Sequence, residues 1–129
     1  MANDGANLGL VDSKLRLCPN TPNCVCSVDS APARHIEPLA FTGDHDVAMS
    51  RLKAVLADQT RTKIVAEEGD YLHAECSSLV FRSVDDLEFY LDRPARKIHV
   101  RSAARTGTYD FGVNRRRVEA IRQAFETHP

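Results

Sequence analysis

Five arginines lie in one short stretch near the end of the chain, where they could bind an anion. They are Arg101, Arg105, Arg115, Arg116 and Arg117. A guanidinium group holds a phosphate or carboxylate through two parallel hydrogen bonds. A helix predicted to begin with Asn114 as its cap would add unpaired backbone N–H groups, which also favour an anion. The segment 101–117 therefore predicts a site for a small anion or an acidic partner.

The same arginines have an alternative set of partners inside the protein. The carboxylates that could satisfy them internally are Asp85, Asp86, Asp110 and Glu119. Three successive arginines near a helix start interact unfavourably with the positive end of the helix dipole. This pattern indicates that a negatively charged group pairs with them. An anionic ligand and an internal carboxylate both fit this pattern.

His73 and Glu75 offer a second kind of chemistry, since a histidine and a carboxylate can move protons. They lie two residues apart on a predicted strand, so they share one face about 6.6 Å apart. That spacing is wide for a direct hydrogen bond. An enzyme that uses His73 and Glu75 with arginine clamps on a small anionic substrate is the alternative function. A solvated sheet face with weak cross-strand ion pairs is the structural alternative.

Four cysteines complete the reactive residues: Cys18, Cys24, Cys26 and Cys76. The first three have the spacing C-x5-C-x-C, which differs from the paired C-x2-C pattern of zinc sites. We therefore expect no metal, and no motif indicates a cofactor. Cys18 and Cys24 could close a short disulfide loop, or remain thiols in a reducing compartment.

Two amphipathic helices are predicted on either side of a strand-rich block. Residues 44–58 place Val47, Ala48, Leu52, Val55 and Leu56 on one face. Thr42 or Asp44 would cap this helix. In residues 113–126, the buried stripe is Val118, Ile121 and Phe125.

The block between the helices predicts four antiparallel strands. Apolar and polar residues alternate in the block from Lys63 to Arg101. The apolar residues shift from even to odd positions between Cys76 and Leu79, and Phe81 continues the odd set. A β-bulge at residues 77–78 would restore the apolar residues to one face. Pairing Leu91 with Ile98 sets Glu88 opposite Arg101 and Tyr90 opposite His99 on the polar face. The expected fold is a two-layer α+β domain, with two helices on one face of a roughly four-stranded antiparallel sheet.

The length of 129 residues predicts a single domain, residues 1–129. Residues 1–43 are rich in turn-forming residues and predict a long irregular segment packed on an α-β-β-β-β-α core of residues 44–129. A net charge of -1 argues against a nucleic-acid partner. No apolar run could span a membrane, and no signal peptide is visible. We expect a cytoplasmic protein, or a periplasmic or organellar one if the natural chain begins upstream. The oligomeric state stays open.

Three segments together resemble the bacterial and plant family known as domain of unknown function 1499. They are residues 8–27 with CPNTPNC, residues 71–92, and residues 98–125 with VNRRRVEAIR. The resemblance covers nearly the whole chain and implies no established activity. Cys26 stands where the family usually has serine, and Cys76 where it usually has an aromatic residue. Because both depart together, we predict that they lie close in space, as a disulfide or as packed thiols; two unrelated substitutions are the alternative.

From these residues we expect a small soluble binding or scaffold domain that recognises an anion through the arginine-rich loop and helix N-terminus.

Overall fold

The computed structural model describes residues 8–78, 83–106 and 111–128. This part of the chain contains two helices and eight strands, in an α+β arrangement. In chain order they are β1 (Leu10–Val11), β2 (Lys14–Leu15), β3 (Cys24–Cys26), β4 (Leu39–Ala40), α1 (His45–Asp58), β5 (Thr62–Glu68), β6 (Tyr71–Ser78), β7 (Ser83–Asp92), β8 (Lys97–Ala104) and α2 (Val113–Thr127).

Helix α1 begins where a side chain can satisfy its first backbone groups. The Asp44 carboxylate accepts a hydrogen bond of 2.9 Å from the backbone N–H of Val47, which confirms Asp44 as the cap. The buried residues are Ala48, Met49, Leu52, Val55 and Leu56. Val47 was predicted on the buried face and is 60 % exposed; Met49 packs into the core instead.

Helix α2 begins after a glycine whose backbone conformation is unfavourable for any residue with a side chain. Gly112 is the N-cap and has a left-handed backbone with φ of 77°. The prediction of Asn114 as the cap was therefore wrong: Asn114 lies inside the helix and is fully buried. The predicted stripe of Val118, Ile121 and Phe125 is buried and confirmed.

The four predicted strands form an antiparallel meander, but the sheet is larger than four strands. Strands β5 to β8 pair in sequence order, and β3 and β4 both add to the outer edge of β8. The result is a six-stranded sheet, with β1 and β2 forming a separate hairpin. The extra strands are two or three residues long, too short to show an alternating pattern.

The predicted register of the β7–β8 hairpin is confirmed. Glu88 pairs with Arg101, Tyr90 with His99 and Leu91 with Ile98. The predicted bulge at residues 77–78 was wrong, because Ser77 pairs with Val84 and Ser78 with Ser83 without a break. The register shift lies instead in β5, between Ile64 and Ala66. Leu79, Phe81 and Asp110 lie outside the described residues.

The two faces of the sheet have different covers. Leu87, Phe89 and Val100 pack with residues of both helices in one core. Glu88 and Arg101 alternate with those residues and point to the opposite face, as side chains on a strand do. The β1–β2 hairpin lies on this face, where the backbone N–H of Gly9 reaches Glu88. The polar face is therefore partly covered by the β1–β2 hairpin rather than fully exposed to solvent.

Neither helix in the described part of the chain is long and apolar enough to cross a membrane.

Candidate functional site

The face of the sheet covered by the β1–β2 hairpin contains a buried ion pair between Glu88 and Arg101. Glu88 is 0 % exposed and Arg101 3 %, and the guanidinium Nη1 lies 3.3 Å from the Glu88 carboxylate. Pairing of β7 with β8 brings the two residues together, as the alternating pattern predicted. Charged groups this deeply buried are found only with partners, because burial removes their hydration.

Two further donors hold the Glu88 carboxylate. The Tyr71 hydroxyl donates to Oε2 at 2.5 Å, and the Gly9 backbone N–H donates to the same oxygen at 2.7 Å. Burial and the bond to Glu88 raise the pKa of Tyr71 above its ordinary value, so the hydroxyl keeps its proton. Glu88 therefore has three partners, of which Arg101 is the longest contact.

Arg101 is less completely satisfied than its carboxylate partner. Its Nε is buried and has no hydrogen-bond partner among the described residues. Arg101 lines a cavity of about 240 Å³ together with Arg16, Leu17, Cys18 and Pro19. Two arginines thus line one small cavity at residues 16–19 of the N-terminal segment.

A neutral thiol lies beside this cavity. Cys26 is the cross-strand partner of Arg101 and is fully buried. Its Sγ–H donates to the backbone oxygen of Arg16 at 3.4 Å. Burial raises the pKa of the Cys26 thiol, although a backbone hydrogen bond at Val28 and the charge of Arg101 act in the opposite direction. The thiol therefore adds no negative charge to offset Arg101 at neutral pH.

The predictions for the two cysteine pairs have different outcomes. Cys18 and Cys24 form a disulfide with a Cα separation of 5.7 Å. Cys26 and Cys76 are both free, and the prediction that they lie together was wrong. They belong to β3 and β6, which are separated by β8 and β7. Three strand spacings alone place them at least about 14 Å apart, so no bridge can form between them.

His73 and Glu75 are brought together by a third residue rather than by each other. His73 Nε2 lies 2.7 Å from the Asp86 carboxylate, and Asp86 is 4 % exposed. Arg105 donates to both oxygens of Asp86 and to Glu75. The hydrogen bonds to Asp86 and Glu75 raise the pKa of Arg105, so it carries its charge at every physiological pH.

This cluster also has the composition of a metal site. One ligand atom each from His73, Glu75 and Asp86 lies within 4.8 Å of the others. The guanidinium of Arg105 is already bonded to both carboxylates, so a positive charge is present without a metal. We find no independent feature that calls for an ion.

The cluster predicts an acid dependence of stability. Burial raises the pKa of Asp86, but hydrogen bonds from His73 and Arg105 outweigh it, and the net pKa is lowered. The unfolded state then binds a proton more readily, so stability is complete above the ordinary value of 3.8 and is lost as the pH falls below it. In urea titrations from pH 6 to pH 2, an Asp86→Asn variant should lose stability less steeply than the wild type. Parallel slopes would contradict this assignment.

The remaining arginines do not join Arg101 and Arg105 in one site. Arg117 lies 2.7 Å from Asp85, whereas Arg105 pairs with Asp86. Successive strand residues point to opposite faces, so these two arginines lie on opposite sides of the sheet. We expected Arg101 and Arg105 to converge with at least one of Arg115, Arg116 and Arg117; for Arg117 this was wrong, and internal carboxylates are the partners of Arg105 and Arg117.

Helix α2 uses its other polar residues to hold the N-terminal segment. The Arg115 guanidinium donates to the backbone oxygens of His35 and Ala33. Buried Asn114 accepts from the Ser102 hydroxyl at 2.5 Å, and its amide donates to the Asn23 oxygen at 3.1 Å. Arg116 is exposed. These contacts give Asn114 and Arg115 structural roles.

Comparison with known families covers most of this arrangement. Residues 14–125 match the family described as protein of unknown function, DUF1499. The chain belongs to the DUF1499 family. The match includes both walls of the Arg101 cavity and all members of the Arg105 cluster. No curated protein and no solved structure matched the chain.

Several residues of this site were not predicted from the sequence. Arg16 and Gly9 lie in a segment expected to be irregular, and nothing in their spacing indicates that they reach the sheet. The turn at Asp12 and Ser13, both with positive φ, joins two leucine-bearing strands and was the available signal for a hairpin. Tyr71 alternates with core residues and could have been placed on the polar face.

Proposed function

We propose that this domain binds a small oxyanion at Arg101, in the cavity that Arg101 lines together with residues 16–19. The observation that carries the proposal is the buried Arg101 Nε, which lacks a hydrogen-bond acceptor among the described residues. A buried donor left unsatisfied costs about 1–3 kcal/mol. Arg101 also lines the cavity, so an oxyanion bound there would lie against this incompletely satisfied side chain.

The cavity suits a ligand of this kind in size. Its volume of about 240 Å³ is several times the ~30 Å³ share of one water molecule, so phosphate, sulfate or a small carboxylate would fit. It is too small for a nucleotide or an extended polymer. A carboxylate or phosphate also matches the forked geometry of guanidinium groups.

The charge balance favours an anion. Arg16 and Arg101 contribute two positive charges, and Glu88 contributes one negative charge that Tyr71 and Gly9 also hold. The Cys26 thiol is neutral because burial raises its pKa. One positive charge therefore remains for the ligand next to the buried Glu88–Arg101 pair, where electrostatic attraction is stronger than at the open surface.

The proposal is tested by titrating the protein with phosphate, sulfate and acetate, followed by NMR chemical shifts of the backbone amides. We expect saturable binding with the largest shifts around residues 16–19 and 101. Arg101→Lys keeps the charge but removes the fork and Nε, and should weaken binding at least tenfold. Arg16→Gln, in a half-buried position, should weaken it without affecting the Glu88 pair.

The matched control is Arg116→Lys, which changes an exposed arginine at the start of α2. It should bind with unchanged affinity. If Arg116→Lys weakens binding and Arg101→Lys does not, the anion binds at the helix start and the proposed site is wrong. The absence of saturable binding by all three anions would reject the function altogether.

Acid–base catalysis by His73 is a second candidate, supported by its 2.7 Å contact with Asp86. In this case Asp86, rather than Glu75, would orient the imidazole. Arg105 is engaged by Asp86 and Glu75 and is poorly placed to clamp a substrate. His73→Gln separates the two candidates, because it should leave oxyanion affinity unchanged.

A further inference from the structure

A second, larger cavity is lined in part by the N-terminal segment. Its volume is about 580 Å³, within the range of roughly 300–1,000 Å³ of small-molecule sites. Residues 13–15 of the hairpin form one wall, and the β7–β8 hairpin with its turn forms the other. Residues 16–19, which follow directly in the chain, line the Arg101 cavity.

A series of polar contacts holds the His99 ring at the wall of this cavity. The Val100 backbone N–H donates to Ser27 Oγ at 2.9 Å, and Ser27 Oγ lies 3.0 Å from His99 Nδ1. His99 Nε2 lies 3.5 Å from Asp92 Oδ2, longer than a good hydrogen bond, so the ring leaves the Asp92 carboxylate incompletely satisfied.

The ionic groups that line the cavity leave one charge of each sign unmatched. Arg93 donates twice to Asp70, at 2.9 Å each, and these two charges cancel. Lys14 forms no ion pair within the described ranges, and Asp92 makes only the long contact with His99 and a bond of 3.2 Å from the Ala95 N–H. The cavity thus offers one ammonium and one carboxylate.

Apolar groups lie between these charges. The side chains of Leu15 and Val28 line the cavity, as does the half-buried ring of Tyr90. The Tyr90 hydroxyl has no hydrogen-bond partner among the described residues and is available to a ligand. An ammonium, a phenol hydroxyl and a carboxylate in one cavity suit a molecule with a carboxylate at one end and an ammonium at the other.

We infer that this cavity binds a short zwitterion of the amino-acid or dipeptide class. Lys14 and Tyr90 receive its carboxylate, Asp92 receives its ammonium, and the apolar wall receives a hydrophobic side chain. This inference is independent of oxyanion binding at Arg101, because none of its polar groups lines that cavity.

The test uses glycyl-L-leucine and two blocked derivatives, one acetylated at the amino group and one amidated at the carboxyl group. Binding is followed by NMR chemical shifts, which also report the location. We expect the dipeptide to perturb residues 13–15, 28 and 90–99, and each blocked form to bind at least tenfold more weakly. Equal binding of all three forms, or no saturable binding, would overturn the inference.

Variants assign each end of the ligand. Asp92→Asn should abolish the difference between the dipeptide and its acetylated form, and Lys14→Met should abolish the difference between the dipeptide and its amide. Lys63→Met removes an exposed lysine of β5 and should change neither. If the two cavity variants discriminate among the peptides as the wild type does, the assigned charges do not bind the ligand.

Discussion

Replacing Arg101 with alanine is expected to lower the free energy of unfolding by about 3–5 kcal/mol, because Glu88 would lose its buried counter-charge. Glu88 is completely buried, and its remaining partners, Tyr71 and Gly9, are uncharged donors. Urea denaturation of the wild type and the variant at pH 7 measures the loss. A decrease below about 1 kcal/mol would mean that the pair is solvated in solution, as surface pairs are.

A double variant distinguishes loss of charge pairing from loss of packing. Arg101→Met combined with Glu88→Gln removes both charges and keeps similar volumes. Because no unpaired charge remains, it should recover much of the stability lost by Arg101→Ala. If the double variant is less stable than Arg101→Ala, the buried ion pair itself stabilises the fold more than we infer.

Removing the Cys18–Cys24 disulfide should both destabilise the protein and weaken oxyanion binding. The bond closes a loop with a sequence separation of 6, and losing it should cost about 2–4 kcal/mol. Cys18 and its neighbours form one wall of the Arg101 cavity, so a loosened loop would misplace Arg16. Chemical denaturation and phosphate titration of a Cys18→Ser, Cys24→Ser variant measure the two effects.

Reduction supplies the control for this prediction. A dithiol reductant should shift the wild type towards the stability and phosphate affinity of the double variant, and should leave the double variant itself unchanged. Cys26 and Cys76 are free thiols in both forms and cannot account for the shift. A wild type that unfolds at the same urea concentration with and without reductant would contradict the role given to the bond.

The meander was predictable because its strands are long and alternate cleanly. Leu87 and Phe89 face the helices while Glu88 faces away, and this pattern together with the Leu91–Ile98 pairing at the turn fixes the pairing with Arg101. Strands β3 and β4 were not predictable, since two or three residues carry no periodicity. Their places depend on tertiary contacts, such as Arg115 holding the backbone near His35.

The candidate site was predictable only in part, for a related reason. The high density of arginines in residues 101–117 indicated a site, but the sequence cannot show which face of the sheet each arginine occupies. Asp85 and Asp86 are adjacent in sequence and receive Arg117 and Arg105 on opposite faces. Arg16 was missed because it is distant in sequence and reaches Arg101 only when the hairpin folds over the sheet.

The most direct test of oxyanion binding is a crystal structure of the protein grown with selenate, with anomalous data collected at the selenium edge. Selenate has the shape and charge of sulfate, and its selenium marks its position without ambiguity. We predict an anomalous peak in the cavity between Arg16 and Arg101, with a selenate oxygen within hydrogen-bond distance of Arg101 Nε. Peaks found only at exposed arginines such as Arg116, with the cavity holding no selenium, would contradict the proposed function.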